Sequence, residues 1–240
     1  MPERFAIYHA PGAEDPLWAR ANEWLGRDPL SGAGLDGAIP GLSREAHARR
    51  TVSARRYGFH ATIKAPMALA AGRTREELEE MLAGFAAASV PVAIGRLRLA
   101  LIDGFLALVP ADQPDELTAF AGAVVEAFDG FRAPASEADR ARRIANGNLT
   151  PRQVELMDRY GYPYVFEQFQ MHMTLTDRLP EGERALYMEA AAAHFGPLVE
   201  RDMVLDRLVL FHEPEAGAPF VRLDDFMLEG EVADARIRAR

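Results

Sequence analysis

Two short segments of this chain carry the same pattern, and they limit its fold more than any other feature of the sequence. Residues 56–66 read RYGFHATIKAP and residues 169–178 read FQMHMTLTDR, so His-x-Thr followed by an aliphatic residue occurs twice. The chain has only six histidines. Side chains of a β-strand point alternately to the two faces of a sheet. Both segments alternate polar and apolar residues in this way, which predicts two β-strands.

The alternation also predicts which side chains share a face. In the first segment the apolar positions are Tyr57, Phe59, Ala61 and Ile63, and the polar row is Gly58, His60, Thr62 and Lys64. In the second segment the apolar positions are Phe169, Met171, Met173 and Leu175, and the polar row is Gln170, His172, Thr174 and Thr176. If the two polar rows face one cleft, two imidazoles and two hydroxyls converge there.

The segments that follow the two motifs predict matching halves. After the first motif come a helix over 73–89, which starts with a Thr-x-x-Glu capping box, and two strands joined by an Asp-Gly turn. After the second come a helix over 181–196 and two more strands. We therefore expect an α+β fold in one bilobal domain over residues 1–240. The predicted lobes are pseudo-symmetric, at about 1–130 and 131–240, and strands can be exchanged between them.

Local signals predict the elements around the motifs. A helix over 15–26 begins with Asp-Pro and a helix over 150–161 begins with Thr-Pro, both of which are N-terminal signals. Ser43 caps a short helix that leads into the first motif strand at 55–64. The second motif lies in an extended run at 164–177.

Composition and charge narrow the function classes. No run of about 18 apolar residues is present to span a membrane, and the N-terminal MPERFAIYHAP lacks the apolar stretch of a signal peptide, so a cytoplasmic protein is expected. The absence of cysteine excludes disulfides, thiolate nucleophiles and cysteine-based metal sites. A net charge of -9 argues against binding long nucleic acid. A small anionic ligand remains compatible, because Arg55, Arg56 and Lys64 surround His60.

Competing motifs are weak. The sequence GAGLDG, with Gly32, Gly34 and Gly37, has the spacing of a dinucleotide-binding loop, but no strand precedes it and no helix follows it, so it is interpreted as a loop. The two motif histidines have no carboxylate or thiolate neighbours at ligand spacing, and no metal or cofactor is expected. A histidine without a matching partner is usually structural, and this interpretation applies to His9, His47, His194 and His212.

The paired motifs resemble a known superfamily. HATI and HMTL match the H-x-[ST]-hydrophobic signature of the two-histidine (2H) phosphoesterases, which include cyclic nucleotide phosphodiesterases and RNA 2′,3′-cyclic phosphodiesterases. RYGFHATIKAP, LTPRQ and GYPYVFEQFQMHMTLT also resemble a bacterial family encoded in phosphonate-utilisation operons, over nearly the whole chain. The resemblance implies two antiparallel sheets around a cleft and metal-independent phosphodiester chemistry. The operon association implies a small cyclic ribose phosphate as substrate.

The chemistry of ring opening agrees with this resemblance. It needs a base for the attacking water and an acid for the leaving oxygen, and imidazole can fill either role near neutral pH. His60 and His172 are therefore the predicted catalytic pair, with either assignment open, and Thr62 and Thr174 are predicted to bind the phosphate oxygens. Weaker candidates for substrate binding are Lys64, Tyr8, Arg56, Tyr57, Tyr162 and Tyr164, of which Tyr57 is on the core-facing parity.

Two alternatives stay open from the sequence. The first is a non-catalytic sensor that binds a phosphorylated small ligand in the same cleft, since fold and site geometry do not guarantee turnover. The second is an RNA 2′,3′-cyclic phosphodiesterase, which shares the chemistry but fits the acidic charge poorly. Neither the oligomeric state nor the substrate follows from the residues.

Overall fold

A computed structural model describes residues 2–35 and 38–231 of the chain. The strands in these residues are β1 Arg4–His9, β2 Ala61–Met67, β3 Val92–Gly95, β4 Leu97–Ile102, β5 Phe105–Pro110, β6 Met173–Thr174, β7 Met203–Leu205, β8 Arg207–Glu213 and β9 Val221–Met227. The helices are α1 Pro16–Leu25, α2 Arg44–Arg50, α3 Val52–Tyr57, α4 Arg75–Ala87, α5 Asp115–Ala127, α6 Glu137–Gly147, α7 Pro151–Tyr160 and α8 Arg184–Phe195. Within this part of the chain, every helix is too short or too polar to cross a membrane.

The strands form one large sheet and one small one. The seven-stranded sheet has the order β4-β5-β6-β2-β1-β8-β9, and β3 pairs with β7 in a separate two-stranded sheet. Every neighbouring pair is antiparallel. The predicted α+β class with antiparallel sheets is confirmed.

The connections interleave the two halves of the chain. The β4–β5 hairpin follows the first motif but pairs with β6, the strand of the second motif. The β8–β9 hairpin follows the second motif but pairs with β1, the neighbour of β2. Because β2 and β6 also pair with each other, both motifs lie at the centre of one continuous sheet.

Local caps and turns form where the sequence predicts them. Thr74 and Glu77 make a reciprocal capping box at the start of α4, and Thr150 and Gln153 make another at the start of α7. The β4–β5 turn at Asp103–Gly104 has φ angles of 47° and 89°. Positive φ at both central residues is the requirement of the tight hairpin turn that Asp-Gly favours.

The start of the first motif differs from its prediction. Instead of a strand over 55–64, the chain continues as α3 to Tyr57, and β2 begins only at Ala61. The helix is capped from far along the chain, since the Asp177 carboxylate accepts hydrogen bonds from the backbone N–H groups of Ser53 and Ala54. A cap supplied by tertiary contact leaves no local sequence signal.

The second motif is also less extended than predicted. A single 3-10 turn occupies Phe166–Gln168, and β6 comprises only Met173–Thr174. The alternation of faces nevertheless holds, because Met171, Met173 and Leu175 are all buried in the core. Around the first motif, Phe59, Ala61 and Ile63 are buried in the same core.

A buried carboxylate ties three elements together at one edge of the fold. Glu213 ends β8 and is fully buried. Its carboxylate accepts hydrogen bonds from the side chain of Arg4 on β1, from Arg56 Nη1 on α3 at 2.6 Å and from the Gly217 backbone N–H at 3.0 Å. Burial alone raises the pKa of Glu213, but the hydrogen bonds from Arg4 and Gly217 and the charges of both arginines outweigh burial and lower it.

We expect Glu213→Gln to lower the free energy of unfolding by about 3–5 kcal/mol at pH 7, because two guanidinium groups lose the charge that compensates them. Urea unfolding measures the change. The native carboxylate contributes stability above its unfolded pKa of about 4.3 and loses it as pH falls through the lower folded value, so the two proteins should converge in acid. The control is Glu215→Gln at an exposed position. Equal losses for both variants would contradict the role of Glu213.

Candidate active site

The His60 imidazole is held by a backbone carbonyl two residues earlier. Its Nδ1 lies 2.8 Å from the Gly58 carbonyl oxygen, so Nδ1–H donates and the neutral ring exposes Nε2. Nε2 accepts from the Thr62 hydroxyl at 3.1 Å. Gly58 has φ 80°, and a Cβ there would lie 2.8 Å from Pro29 Cγ. Only glycine fits at 58 without displacing Pro29.

The surroundings of His60 keep its ring neutral. The ring stacks on Tyr8, with centroids 3.6 Å apart and planes inclined by 15°. Burial lowers the pKa of His60 from 6.5 to about 4, the hydrogen bond to Gly58 opposes this change, and the charge of a protonated His172 adds to it. At pH 7 His60 is therefore a neutral imidazole with its lone pair on Nε2.

The second histidine is held in the same way. His172 Nδ1 donates to the Gln170 carbonyl oxygen at 2.8 Å, again two residues earlier. The segment on either side of Gln170 is fixed by Gln113, whose side-chain amide donates to the Phe169 carbonyl at 3.0 Å and accepts from the Met171 N–H at 2.7 Å. The Gln113 amide thus replaces a missing strand partner for this segment. It positions His172 through the backbone.

The register between the motif strands sets the histidines diagonally across the sheet. Ala61 is paired with Met173. In an antiparallel pair this register sets His60 beside Thr174 and Thr62 beside His172. Diagonal neighbours on one face are about 7–8 Å apart. Each imidazole therefore has the hydroxyl of the other motif as its cross-strand neighbour.

These four residues line two adjoining cavities. His60, Thr62 and Thr174 line a cavity of about 450 Å³. His172 lines a neighbouring cavity of about 600 Å³, and Thr62 belongs to both. Phe105, whose ring centroid lies 5.7 Å from that of His172, is also shared by the two cavities. We call the first cavity, which contains His60, the cleft.

Three of the weaker tyrosine candidates line the cleft itself. Tyr8 is buried and forms part of its wall, Tyr57 is half-buried beside it, and Tyr162 lines both cavities. Burial raises the pKa of Tyr8 well above 10 and that of Tyr162 to about 12, so both phenols stay protonated. Tyr164 is 42% exposed. Of the two cavities, it lines only the one that contains His172.

Lys64 does not belong to the polar row, and its assignment to the cleft is wrong. The register of β1 with β2 passes from Tyr8–Thr62 to Ile7–Lys64, so one extra residue forms a β-bulge. A bulge reverses the facing of the residues that follow it. Lys64 Nζ is consequently buried on the other side, where it donates to the Val125 carbonyl at 3.0 Å and to Asp129 at 3.1 Å.

Arg56 is likewise turned away from the cleft. Its guanidinium is bound to Glu213 and lies over the Tyr57 ring, 4.2 Å from the centroid. Arg56 is not among the residues that line the cleft. The sequence shows a basic residue four positions before His60, but its carboxylate partner is 157 positions away.

Sequence reasoning missed two consecutive residues that line the cleft. Asp177 and Arg178 both line it, together with Ser53. The sequence did contain a signal for Arg178. In the second motif the polar residues occupy even-numbered positions, and this row continues from Thr176 to Arg178. Asp177 had no such signal, since its role is to cap α3.

The remaining histidines lie away from both cavities. His9 donates to the Arg207 carbonyl, His47 to the Trp24 carbonyl and His194 to the Arg20 carbonyl, and His212 pairs with Glu3. None of these four lines either cavity.

The other sequence signals add no second site. Gly32 and Gly34 lie in the predicted loop, and Gly37 lies outside the described residues. Over residues 2–35 and 38–231, no group of three or more His, Cys, Asp or Glu side chains is arranged to hold a metal ion.

The chain matches known sequences over most of its length. Residues 62–221 match the family described as "Protein of unknown function (DUF1045)". A protein of Janthinobacterium sp. (strain Marseille) named ribose 1,5-bisphosphate phosphokinase PhnN is 38% identical over 234 residues, which are 95% of this chain and 51% of that protein. A protein of the same name from Laribacter hongkongensis (strain HLHK9) is 36% identical over 217 residues, 90% of this chain and 50% of that protein. The chain thus spans about half the length of the curated relatives it matches.

Two solved structures align with the fold. E. coli LigT complexed with NADP+ aligns at a TM-score of 0.40 and 12% identity, over 95% of this chain and 99% of that chain. A structure described as a phosphoesterase aligns at a TM-score of 0.39 and 10% identity, also over 95% of this chain and 99% of that chain. Both alignments extend over nearly the full length of each chain.

We expect the His60 ring protons to titrate near pH 4 in a ¹H NMR pH series, below the ordinary value of 6.5, because burial disfavours the imidazolium. His60→Gln identifies the signal. Between pH 6.5 and 4 the unfolded His60 binds a proton that the folded form does not, so this residue makes stability fall with falling pH, by up to about 1.4 kcal/mol per pH unit. Buried His9, with a pKa of about 4, is the internal comparison. Titration of His60 at 6.5 or above would contradict this account of the site.

Proposed function

The chain belongs to the DUF1045 family, and we propose that it is a phosphodiesterase that hydrolyses a small cyclic phosphate with two histidines as general acid and base. One observation carries the proposal. His60 and His172 are each held through Nδ1 by the carbonyl two residues earlier, and each lies beside the threonine of the other motif. The two histidines and the two threonines thus border two adjoining cavities of small-molecule size, with Thr62 in both.

His60 is the proposed general base. It is neutral at pH 7, and its Nε2 lone pair faces the cleft beside Thr62. When substrate displaces the Thr62 hydroxyl from Nε2, a water can take its place and be deprotonated as it attacks phosphorus. The bound phosphate anion favours the imidazolium that forms, which raises the basicity of His60 in the complex.

His172 is the proposed general acid. As the water oxygen bonds to phosphorus, the ring P–O bond breaks, and His172 Nε2–H protonates the leaving oxygen. The product is a phosphomonoester, His60 ends protonated and His172 ends neutral, and exchange with solvent restores the starting state. An in-line displacement needs base and acid on opposite sides of phosphorus, which suits two imidazoles set diagonally with the phosphate between them.

Thr62 and Thr174 are proposed to bind the non-bridging oxygens. Both threonines line the cleft, where negative charge increases in the transition state of the proposed reaction. Tyr8 is proposed to position the His60 ring by stacking rather than to contact substrate. Tyr162, protonated and shared by both cavities, is a candidate donor to the sugar or phosphate.

A ribose phosphate ester is the proposed substrate class. The cleft has the volume of a phosphorylated sugar, at about 450 Å³, and a chain of net charge -9 is a poor partner for long RNA. The matched relatives are named for a kinase of ribose 1,5-bisphosphate. This chain contains no G-x-x-x-x-G-K-[ST] phosphate-binding loop, so we assign it a separate reaction on a ribose phosphate.

Substitution of the motif residues tests the assigned roles. We expect His60→Ala and His172→Ala each to lower kcat by about 10²- to 10⁴-fold, the scale of general acid–base catalysis. Thr62→Val and Thr174→Val should cost about 10²- to 10³-fold at most, as for loss of one donor to a developing oxyanion. Initial rates with a cyclic phosphate substrate measure each change. His212→Ala, at a histidine outside both cavities, is the control, and wild-type rates in either motif histidine variant would remove that residue from the mechanism.

A substrate screen tests the proposed reaction. We expect the purified protein in EDTA to convert a five-membered cyclic phosphate of ribose to a phosphomonoester, followed by ³¹P NMR, because two imidazoles supply both proton transfers without a metal ion. The panel should include nucleoside 2′,3′-cyclic phosphates and 3′,5′-cyclic nucleotides. Loss of the activity in EDTA and its return with a divalent ion would make the histidines ligands. Tight binding of a cyclic phosphate without turnover would instead support a sensor.

A further inference from the structure

The cleft carries a permanent positive charge. Arg178 lines the same cavity as His60, Thr62 and Thr174, and its side chain is exposed. Among the described residues that line this cavity, it is the only lysine or arginine. The Lys64 ammonium donates hydrogen bonds to Asp129 and to the Val125 carbonyl of α5, so it does not supply positive charge to the cleft.

Arg178 also has no hydrogen-bonding or ionic partner among the described residues. The nearest carboxylate in sequence, Asp177, is occupied by the N–H groups of Ser53 and Ala54. Arg50 and Arg56, by contrast, are each bound to a glutamate.

The two cavities show where Arg178 lies relative to the two histidines. Arg178 is four positions beyond Thr174, so their Cα atoms are at most about 13 Å apart. Arg178 lines only the cavity of His60, whereas Thr62 and Tyr162 also line the cavity of His172. The scissile phosphate is proposed to lie between the two motif strands, so Arg178 is placed to meet a group that extends from it into the cavity of His60.

We propose that Arg178 binds a phosphomonoester carried by the substrate in addition to its cyclic phosphodiester. This proposal rests on the proposed function for the place of the reacting phosphate. A guanidinium presents N–H groups in a fixed fork that matches two phosphate oxygens. The need for such a group follows from charge, because a chain of net charge -9 repels a multiply charged anion unless a local cation offsets it.

The proposal is tested by the ratio of kcat/KM for two substrates that differ in one phosphate. Cytidine 2′,3′-cyclic phosphate is compared with the same compound carrying a 5′-phosphate. We expect the wild-type kcat/KM to be about 10- to 100-fold higher for the 5′-phosphorylated compound, the scale of a hydrogen bond between charged groups. Arg178→Gln should reduce this ratio to near one, and Arg178→Lys should keep part of it, because lysine retains the charge without the fork. A wild-type ratio near one, or an unchanged ratio in Arg178→Gln, would overturn the proposal.

Arg98→Gln is the matched control, because Arg98 is an exposed arginine on β4 that does not line the cleft. Its ratio should equal that of the wild type. If Arg98→Gln lowers the ratio as much as Arg178→Gln does, the preference reflects overall charge and the assignment to Arg178 is overturned.

Binding without catalysis separates this inference from the proposed function. Isothermal titration of the protein with ribose 5-phosphate and with ribose measures the anion site even if no cyclic phosphate is hydrolysed. We expect ribose 5-phosphate to bind more tightly than ribose, and Arg178→Gln to weaken it by about tenfold or more while Arg98→Gln does not. Equal affinity of the wild type for the two sugars, or no effect of Arg178→Gln, would overturn the role of Arg178. Failure of hydrolysis alone would overturn only the proposed reaction.

Discussion

The pairing of β2 with β6 at the middle of the sheet is the interaction on which the site depends. It is short, with Ala61 opposite Met173, yet it determines which side chains of the two motifs are neighbours. A shift of one residue in an antiparallel register would turn one polar row into the core. The flanking strands prevent this shift, because β2 is also paired along its length with β1, and β6 with β5.

The exchange of hairpins between the halves strengthens this dependence. The strand of the second motif pairs with the hairpin that follows the first motif, and the hairpin that follows the second motif pairs with β1, the neighbour of β2. Neither half of the chain therefore contains its own complete set of strand partners. The two histidines are consequently parts of one sheet, and the spacing between them is set by backbone pairing rather than by the packing of two independent lobes.

Sequence alternation predicted the residues of the site that lie within regular backbone, and it failed where the backbone departs from regularity. Thr62 and Thr174 could be placed because they are two positions beyond their histidines, before any irregularity. Lys64 could not, since the bulge in β2 depends on the register with β1. Tyr57 and Arg56 belong to a helix whose cap, Asp177, is more than a hundred positions away. Gln113, which holds the segment around Gln170, gave no signal for the same reason.

Most arginines near the site serve the fold, and this explains why the cleft is weakly charged. Arg4 and Arg56 compensate the buried Glu213, and Arg50 is bound by Glu183. A guanidinium paired with a carboxylate contributes less field to a nearby cavity than an unpaired one, because part of its charge is offset. Beside the two hydroxyls and the neutral His60, the cation at the reacting centre in the proposed reaction is the protonated His172. An anionic substrate would then be held at its far end by Arg178, while the proton transfers take place in a region where burial keeps the base uncharged until it reacts.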